Sequence, residues 1–382
     1  MNHRSRHPFS WWWTLVCLPV ALFVSSGCGP RPATDATETA TATATAISMD
    51  PVEPREADPG LPLGPYGRND ALSEDVSVER AARFLDTVAM NWGEKHGCVT
   101  CHTNGYYLTA PNEVFGDRPA FQKVRAFAEA FVDSWDAESL PTTEVFVATA
   151  AFLAINDAEA GRELGAATVK ALDQAWDHQS EEGHWENWVK CNWPPFESDD
   201  HYGVTLMAVA VGMSEDSYQQ TDRAEAGMSR IRSYLASHPP THLHQKAMLL
   251  WAAKYNDGLV DDGNRERWIE ELFERQRPDG GFASGELGRW RQRDGEPGEP
   301  PVNVESDGYG TGFVVFVLRE AGVEASDPRI KKAVAWLLTH QRAEGYWWTQ
   351  SLRNEPDTSN FLTHAGTTFA LKALAATGLP ES

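Results

Sequence analysis

The stretch Cys98-Val99-Thr100-Cys101-His102 places two thiols and an imidazole within five residues. Two cysteines at this spacing can form thioethers to the vinyl groups of a haem while the adjacent histidine ligates the iron. The pentad therefore implies a covalent c-type haem held by Cys98, Cys101 and His102. With five cysteines and twelve histidines in 382 residues, chance would produce it on the order of 0.002 times. Three other chemistries use the same residues. A redox-active cysteine pair is expected at a helix start after a strand, and no strand pattern surrounds this one. Zinc would need further ligands, with Cys191 or a histidine available. A plain disulfide within the pair would close too small a loop to stabilise much.

A second constellation is Glu197-Ser198-Asp199-Asp200-His201, immediately before an apolar run from Tyr202 to Val211. Carboxylates there suit the N-terminus of a helix, whose orphan N–H groups and dipole favour them. Glu305-Ser306-Asp307 repeats the arrangement before another apolar run, as a structural cap would.

These groups must be positioned by helices. Three segments share Gln, three residues, Gly, any residue, aromatic: Gln179, Gly183 and Trp185; Gln276, Gly280 and Phe282; Gln341, Gly345 and Trp347. Each follows an apolar pattern of helical period. The glycine permits a positive-φ exit from the helix, and the aromatic ring can pack back over the Gln amide and the helix end. After each loop a second apolar helix begins, at Tyr202, Tyr309 and Ala365. Weaker helical patterns fill the rest, at 78–92, 121–135, 143–155, 224–236 and 243–255. About six helix pairs result. The haem motif replaces the first loop, between the helix ending near Trp92 and Tyr106-Tyr107-Leu108.

The Gln/Gly/Trp loops resemble the QW motifs of squalene-hopene cyclases, and the paired-helix period is similar to the α/α toroid shared with protein prenyltransferase β-subunits. The resemblance covers roughly 78–378 and is strongest in the last third. It implies an all-α fold, a single α/α toroid. Generic helical hairpins of another solenoid are the plainer alternative. Squalene-hopene cyclases protonate an alkene from an Asp-x-Asp-Asp motif at an inner-helix start and stabilise cations with aromatic walls. By that resemblance Asp199 would be the acid and Asp200 its neighbour, although Glu197 departs from the motif's first position. Chain size counts against the activity, since those enzymes resemble two toroid-type domains. The zinc-binding Asp, Cys and His of prenyltransferases cannot all be placed, and Cys191 reads as a lone thiol. Gly97 and Thr103-Asn104-Gly105 also resemble c-type cytochromes.

In a toroid, His201, His242, His244 and His364 fall at inner-helix starts, which would bring them toward the rim that carries His102. Each is a candidate second axial ligand to iron, as is Met90. The plainer reading of each histidine is a solvated or capping rim residue, and of Met90 a core residue. Trp185, Trp188, Trp193, Trp347 and Trp348 are candidates to line a cavity, with packing as the ordinary role.

The first 27 residues read as a secretory leader: Arg4 and Arg6, an apolar run from Trp11 to Val24, then Ser25-Ser26-Gly27-Cys28. The run is too short for a membrane span, and the small residues before Cys28 resemble a lipoprotein cleavage site at which Cys28 is lipidated. Residues 28–65, rich in Pro, Ala, Thr and acids, read as a flexible linker. The toroid with its haem motif then spans 66–382. A formal charge of −22, two units more negative without the leader's arginines, would repel a phosphate backbone and argues against nucleic-acid binding.

The expectation is therefore an exported, lipid-anchored toroid facing the periplasm and carrying haem c. Its role would be redox or electron transfer with a partner protein, acting on or binding an apolar, isoprenoid-like molecule. The alternatives are a cyclase-like acid catalyst using Asp199 and a non-catalytic binding or scaffold toroid.

Overall fold

The computed structural model describes residues 66–136, 140–188, 195–196, 199–290, 304–352 and 360–378. The leader, the linker, Cys28, Cys191, Trp193, Glu197 and Ser198 lie outside them. Among the described residues the secondary structure is helical, apart from one isolated bridge between Leu72 and Arg342. No helix among them is long and apolar enough to cross a membrane.

Twelve of these helices alternate between an outer and an inner layer, giving the expected α/α toroid of six pairs. The outer helices are α1 (Val78–His96), α3 (Pro119–Asp133), α5 (Ala166–Asp177), α7 (Asp222–Ser237), α9 (Asp262–Phe273) and α11 (Pro328–His340). The inner ones are α2 (Asn104–Tyr107), α4 (Thr143–Glu159), α6 (Asp200–Met213), α8 (Leu243–Ala253), α10 (Gly308–Glu320) and α12 (Leu362–Thr377). Each inner helix packs on the next, and α12 returns to α2, so the inner ring closes. Composition explains the two layers. Outer helices bury one apolar stripe, as α11 does with Ile330, Ala333, Trp336 and Leu337, whereas α6 is buried without interruption from His201 to Val211.

The Gln/Gly loops turn out to be joints between neighbouring pairs. Gly183, Gly280 and Gly345 take φ of 99°, 95° and 104°, a conformation that favours glycine. Each glutamine Nε2 donates to the carbonyl of its own loop glycine, at 3.1, 2.9 and 2.9 Å. It donates again to the backbone of the following outer helix or its cap: Gln179 to Gly227 on α7, Gln276 to Arg329 on α11, and Gln341 to Ser77, the N-cap of α1. The last of these spans 264 residues and fastens the end of the ring to its beginning. Two of the three aromatic residues hold the end of the preceding helix: Trp185 and Trp347 donate from Nε1 to Ala175 and Leu337 at 2.7 and 2.8 Å. Both tryptophans are therefore packing residues, as their ordinary role suggested.

The axis of the toroid is packed with aromatic rings. Tyr106 meets Phe152, Phe196 and Phe369 at 5.0 Å between ring centroids. Tyr309 and Phe313 meet Phe369 at 5.4 and 5.2 Å. These rings are fully buried, so they fill the centre instead of walling an open chamber there.

Candidate functional site

The inner-helix starts carry two groups of histidines, on different parts of the rim. The first surrounds His102. Its Nδ1 lies 2.8 Å from the Thr103 hydroxyl, which lies 2.8 Å from His364 Nδ1, and His364 Nε2 is 3.0 Å from the Tyr66 hydroxyl. Burial drives the His102 pKa well below its ordinary value, with His364 and His96 adding to the effect. Burial likewise takes His364 down to about 3. Both rings are neutral at pH 7, and the single Thr103 proton can satisfy only one of them while the hydroxyl accepts from the other.

The haem expected at this place does not fit the residues as they are arranged. Attachment needs both thiols, but Cys98 is disulfide-bonded, and not to Cys101, which is a buried thiol. The disulfide weighed within the pair is corrected, since Cys101 is not the partner of Cys98. The His102 ring stacks on Phe361 at 5.1 Å and 9° and meets the edge of Trp92 at 4.7 Å, which fills the space a porphyrin would need beside it. Among the described residues, no group of three or more His, Cys, Asp and Glu side chains could hold a metal ion.

The second group surrounds Asp199. The expectation that His201, His242 and His244 approach His102 is corrected here: their charged neighbour is Asp199, and only His364 joins His102. Each inner-helix start keeps to its own sector of the ring, which divides the rim. Met90 lies partly buried against the core.

Asp199 caps α6, with Oδ1 accepting from the Tyr202 N–H at 3.3 Å. Its Oδ2 accepts from Gln245 Nε2 at 3.1 Å and lies 3.6 Å from His242 Nε2. Burial pushes this carboxyl up, but His242 beside it, aided by His201 and His244, holds it below the usual carboxylate range. Asp200 is more open and lies 4.0 Å from His184 Nε2. His244 bonds the Tyr309 hydroxyl at 2.7 Å and stacks on Phe313 at 4.8 Å, so it belongs to the packed axis.

Asp307 shows what a purely structural cap looks like in this fold. Its carboxylate accepts from the Ser284 N–H and hydroxyl at 3.0 and 2.6 Å and from the Gly310 N–H at 2.7 Å. Burial raises its pKa to about 6, against those bonds. Asp199 instead gives one oxygen to the helix and turns the other toward His242 and Gln245 at the start of α8.

Beside Asp199 opens a cavity of about 610 Å³ whose lining includes Asp200, His201, Trp188, Tyr234, Ser237 and Gln245. The Trp188 indole packs against Gly203, where any side chain would strike it. His201 is 4% exposed and lowered by burial to about 4, against the opposing pull of Asp199. Neither of its ring nitrogens, nor Trp188 Nε1, meets a hydrogen-bond partner in the protein. Each buried orphan of this kind costs about 1–3 kcal/mol.

From sequence, Trp188, Tyr234 and Gln245 had no assigned part in a site with Asp199, and His242 was read only toward iron. The signal available was the histidine-rich run from His238 to His244, which brings His242 from the next repeat and is followed at once by Gln245.

No family model matches the chain. A probable squalene–hopene cyclase from Sinorhizobium fredii is 36% identical over 77 residues, 19% of this chain and 12% of that protein. The matched stretch thus spans about an eighth of that relative's length. A crystal structure of a protein from Actinoplanes is 15% identical, covering 72% of this chain and 89% of that one, with a TM-score of 0.47. The type II terpene cyclase MstE from Scytonema, without ligand, is 12% identical over 78% of this chain and 98% of its own, also at 0.47. By its own ring of helix pairs the chain is an α/α toroid, and over a short stretch its sequence is similar to that probable squalene–hopene cyclase.

Proposed function

We propose that this toroid is an acid–base catalyst of cyclase-like chemistry, in which Asp199 passes a proton to a double bond of a ligand held in the adjoining cavity. The observation that carries the reading is the second oxygen of Asp199: on a partly buried side chain beside His242 and Gln245, at a cavity wall, where the equivalent Asp307 is fully buried among donors from its own repeat. A carboxyl whose pKa is held low is a strong acid once protonated. The step breaks the carboxyl O–H bond and forms a C–H bond, leaving a carbocation that a later proton loss discharges, while the carboxylate is reprotonated from solvent. The substrate would be unsaturated and partly apolar, as the cyclase resemblance implies. The leader and Cys28 would place this chemistry at a periplasmic membrane surface.

The test is incubation with farnesol and with squalene in heavy water, with products followed by mass spectrometry. The wild type should give deuterium-bearing products, more rapidly as pH falls toward the Asp199 pKa. Asp199→Asn should reduce the rate at least 100-fold, and His102→Ala should leave it standing. Turnover that survives Asp199→Asn sinks the proposal. Covalent haem in chain made with a cytochrome c maturation system, together with loss of activity in His102→Ala, would favour the redox expectation instead.

A further inference from the structure

Ahead of α1, residues 66–77 form a strap laid across the last joint of the ring. The Ser73 N–H donates to the Gln341 carbonyl and the Ala343 N–H to the Ala71 carbonyl, both at 2.8 Å. Arg342 donates to the carbonyls of Asp70 and Arg68 at 3.1 and 2.7 Å, and the Tyr346 hydroxyl donates to the Asp70 carboxylate. At the head of the strap, Tyr66 is seated among Phe84, Tyr346 and His364, with ring centroids 5.4, 5.1 and 5.3 Å away. Its hydroxyl opens the hydrogen-bonded line that runs through His364 and Thr103 to His102. The line ends on the Cys98–His102 loop, which Asn104 braces from within: its side chain accepts from the Thr100 N–H and donates to the Cys98 carbonyl, each at 2.9 Å.

We infer that the strap is a latch on this loop: Tyr66, acting through His364 and Thr103, fixes the His102 ring and keeps the Cys101 thiol covered, and the loop opens when Tyr66 leaves its seat. Hydrogen-bonding capacity gives the line a direction. The Tyr66 hydroxyl has no other hydrogen-bond partner among the described residues, so it donates its proton to His364 Nε2. His364 then carries its own proton on Nδ1 and donates it to the Thr103 oxygen. The Thr103 proton goes to His102 Nδ1, and His102 carries its proton on Nε2. The reverse order would leave the Tyr66 O–H without an acceptor in the seat, at a cost of about 1–3 kcal/mol. In the forward order the one lone pair of His102 is engaged by Thr103, which leaves no nitrogen for iron. Cys101 is 4% exposed, so a reagent reaches its thiol only when the loop opens locally.

Two readouts on the full chain test this. The first is the rate at which N-ethylmaleimide alkylates Cys101, followed by peptide mass spectrometry. Tyr66→Phe keeps the ring and removes only the hydroxyl, and it should speed alkylation about fivefold. Thr103→Val should act in the same direction, while Thr103→Ser, which retains the hydroxyl, should stay at the wild-type rate; Tyr66→Phe decides the matter if Thr103→Val does not fold. Gln179→Ala cuts a joint between other helix pairs, so it should lower stability without exposing Cys101, which separates release of the latch from general loosening. The second readout is nitrogen-15 NMR of the imidazoles, which should find His364 as the Nδ1–H and His102 as the Nε2–H tautomer, with the His364 Nε2 signal shifted in Tyr66→Phe. Unchanged alkylation in Tyr66→Phe, equal acceleration by Gln179→Ala, the opposite tautomers, or covalent haem on His102 in wild type made with a cytochrome c maturation system would each overturn the inference.

Discussion

At the scale of single residues, Asp199 and Asp307 occupy the same place in two repeats, and their surroundings give them different work. Both cap an inner helix. Replacing Asp307 with alanine leaves the Ser284 and Gly310 donors without their buried acceptor, and each loss costs about 1 kcal/mol or more. Urea denaturation should show Asp307→Ala destabilised by about 3 kcal/mol, while Asp199→Asn, which keeps an acceptor for the cap, should change stability by less than about 1 kcal/mol. A larger loss from Asp199→Asn would mean that the residue is chiefly structural. The sequence made both residues visible as echoes of one pattern. It could not show which of them faces a cavity, because that depends on Gln245 and His242 from a neighbouring repeat. The pentad at Cys98 illustrates the opposite limit: its spacing is specific, but the Phe361 ring that stacks on His102 comes from a part of the chain far from the motif.

At the scale of elements, the glutamine of each loop is a tie between successive helix pairs, and the tie from Gln341 to Ser77 closes the ring. Gln341 also accepts from the Ser77 N–H at 2.7 Å, so the two residues are joined in both directions. Gln341→Ala removes these bonds and should destabilise the chain by about 2–3 kcal/mol, a fall of several degrees in Tm for a domain of this size. Gly345→Ala should cost more, because φ is 104° and an added Cβ would press on the Arg80 carbonyl. If hydrogen exchange on α1 and α12 were unchanged in Gln341→Ala, the closing role would be refuted. The repeats were legible because a helix stop, a glycine and an aromatic residue recur at fixed spacing. Ring closure was not, since Ser77 carries no motif that matches Gln341.

At the scale of the whole molecule, the toroid keeps an unusual set of imidazoles neutral in its interior, and this gives its stability a direction in pH. His102, His201, His244 and His364 all have folded pKa values below 6.5, chiefly through burial. Below about pH 6.5 the unfolded chain takes up protons at these positions that the folded chain refuses, so stability falls as pH falls. Each such histidine contributes a slope of about 1.4 kcal/mol per pH unit. The stability is fully present above 6.5 and is lost toward pH 4, where His201 begins to titrate in the folded state, with His364 following near 3. Asp307 works the other way. Its folded pKa near 6 means that the folded chain holds a proton there which the unfolded chain has released, down to its unfolded value of 3.8. Four histidines against one aspartate leave acid destabilisation dominant between pH 6 and 4. Urea midpoints at pH 7.5, 6.5, 5.5 and 5.0 should hold level over the first step and then decline with increasing steepness. His364→Gln, tested in the same series, should flatten that decline by about one proton even if it lowers stability at pH 7.5. A midpoint that stays constant down to pH 5 would mean that these imidazoles are not held neutral. The same slope limits the catalytic proposal, because the low pH that protonates Asp199 also loosens the ring that positions it, so activity should rise with acidity and then collapse as the fold is lost.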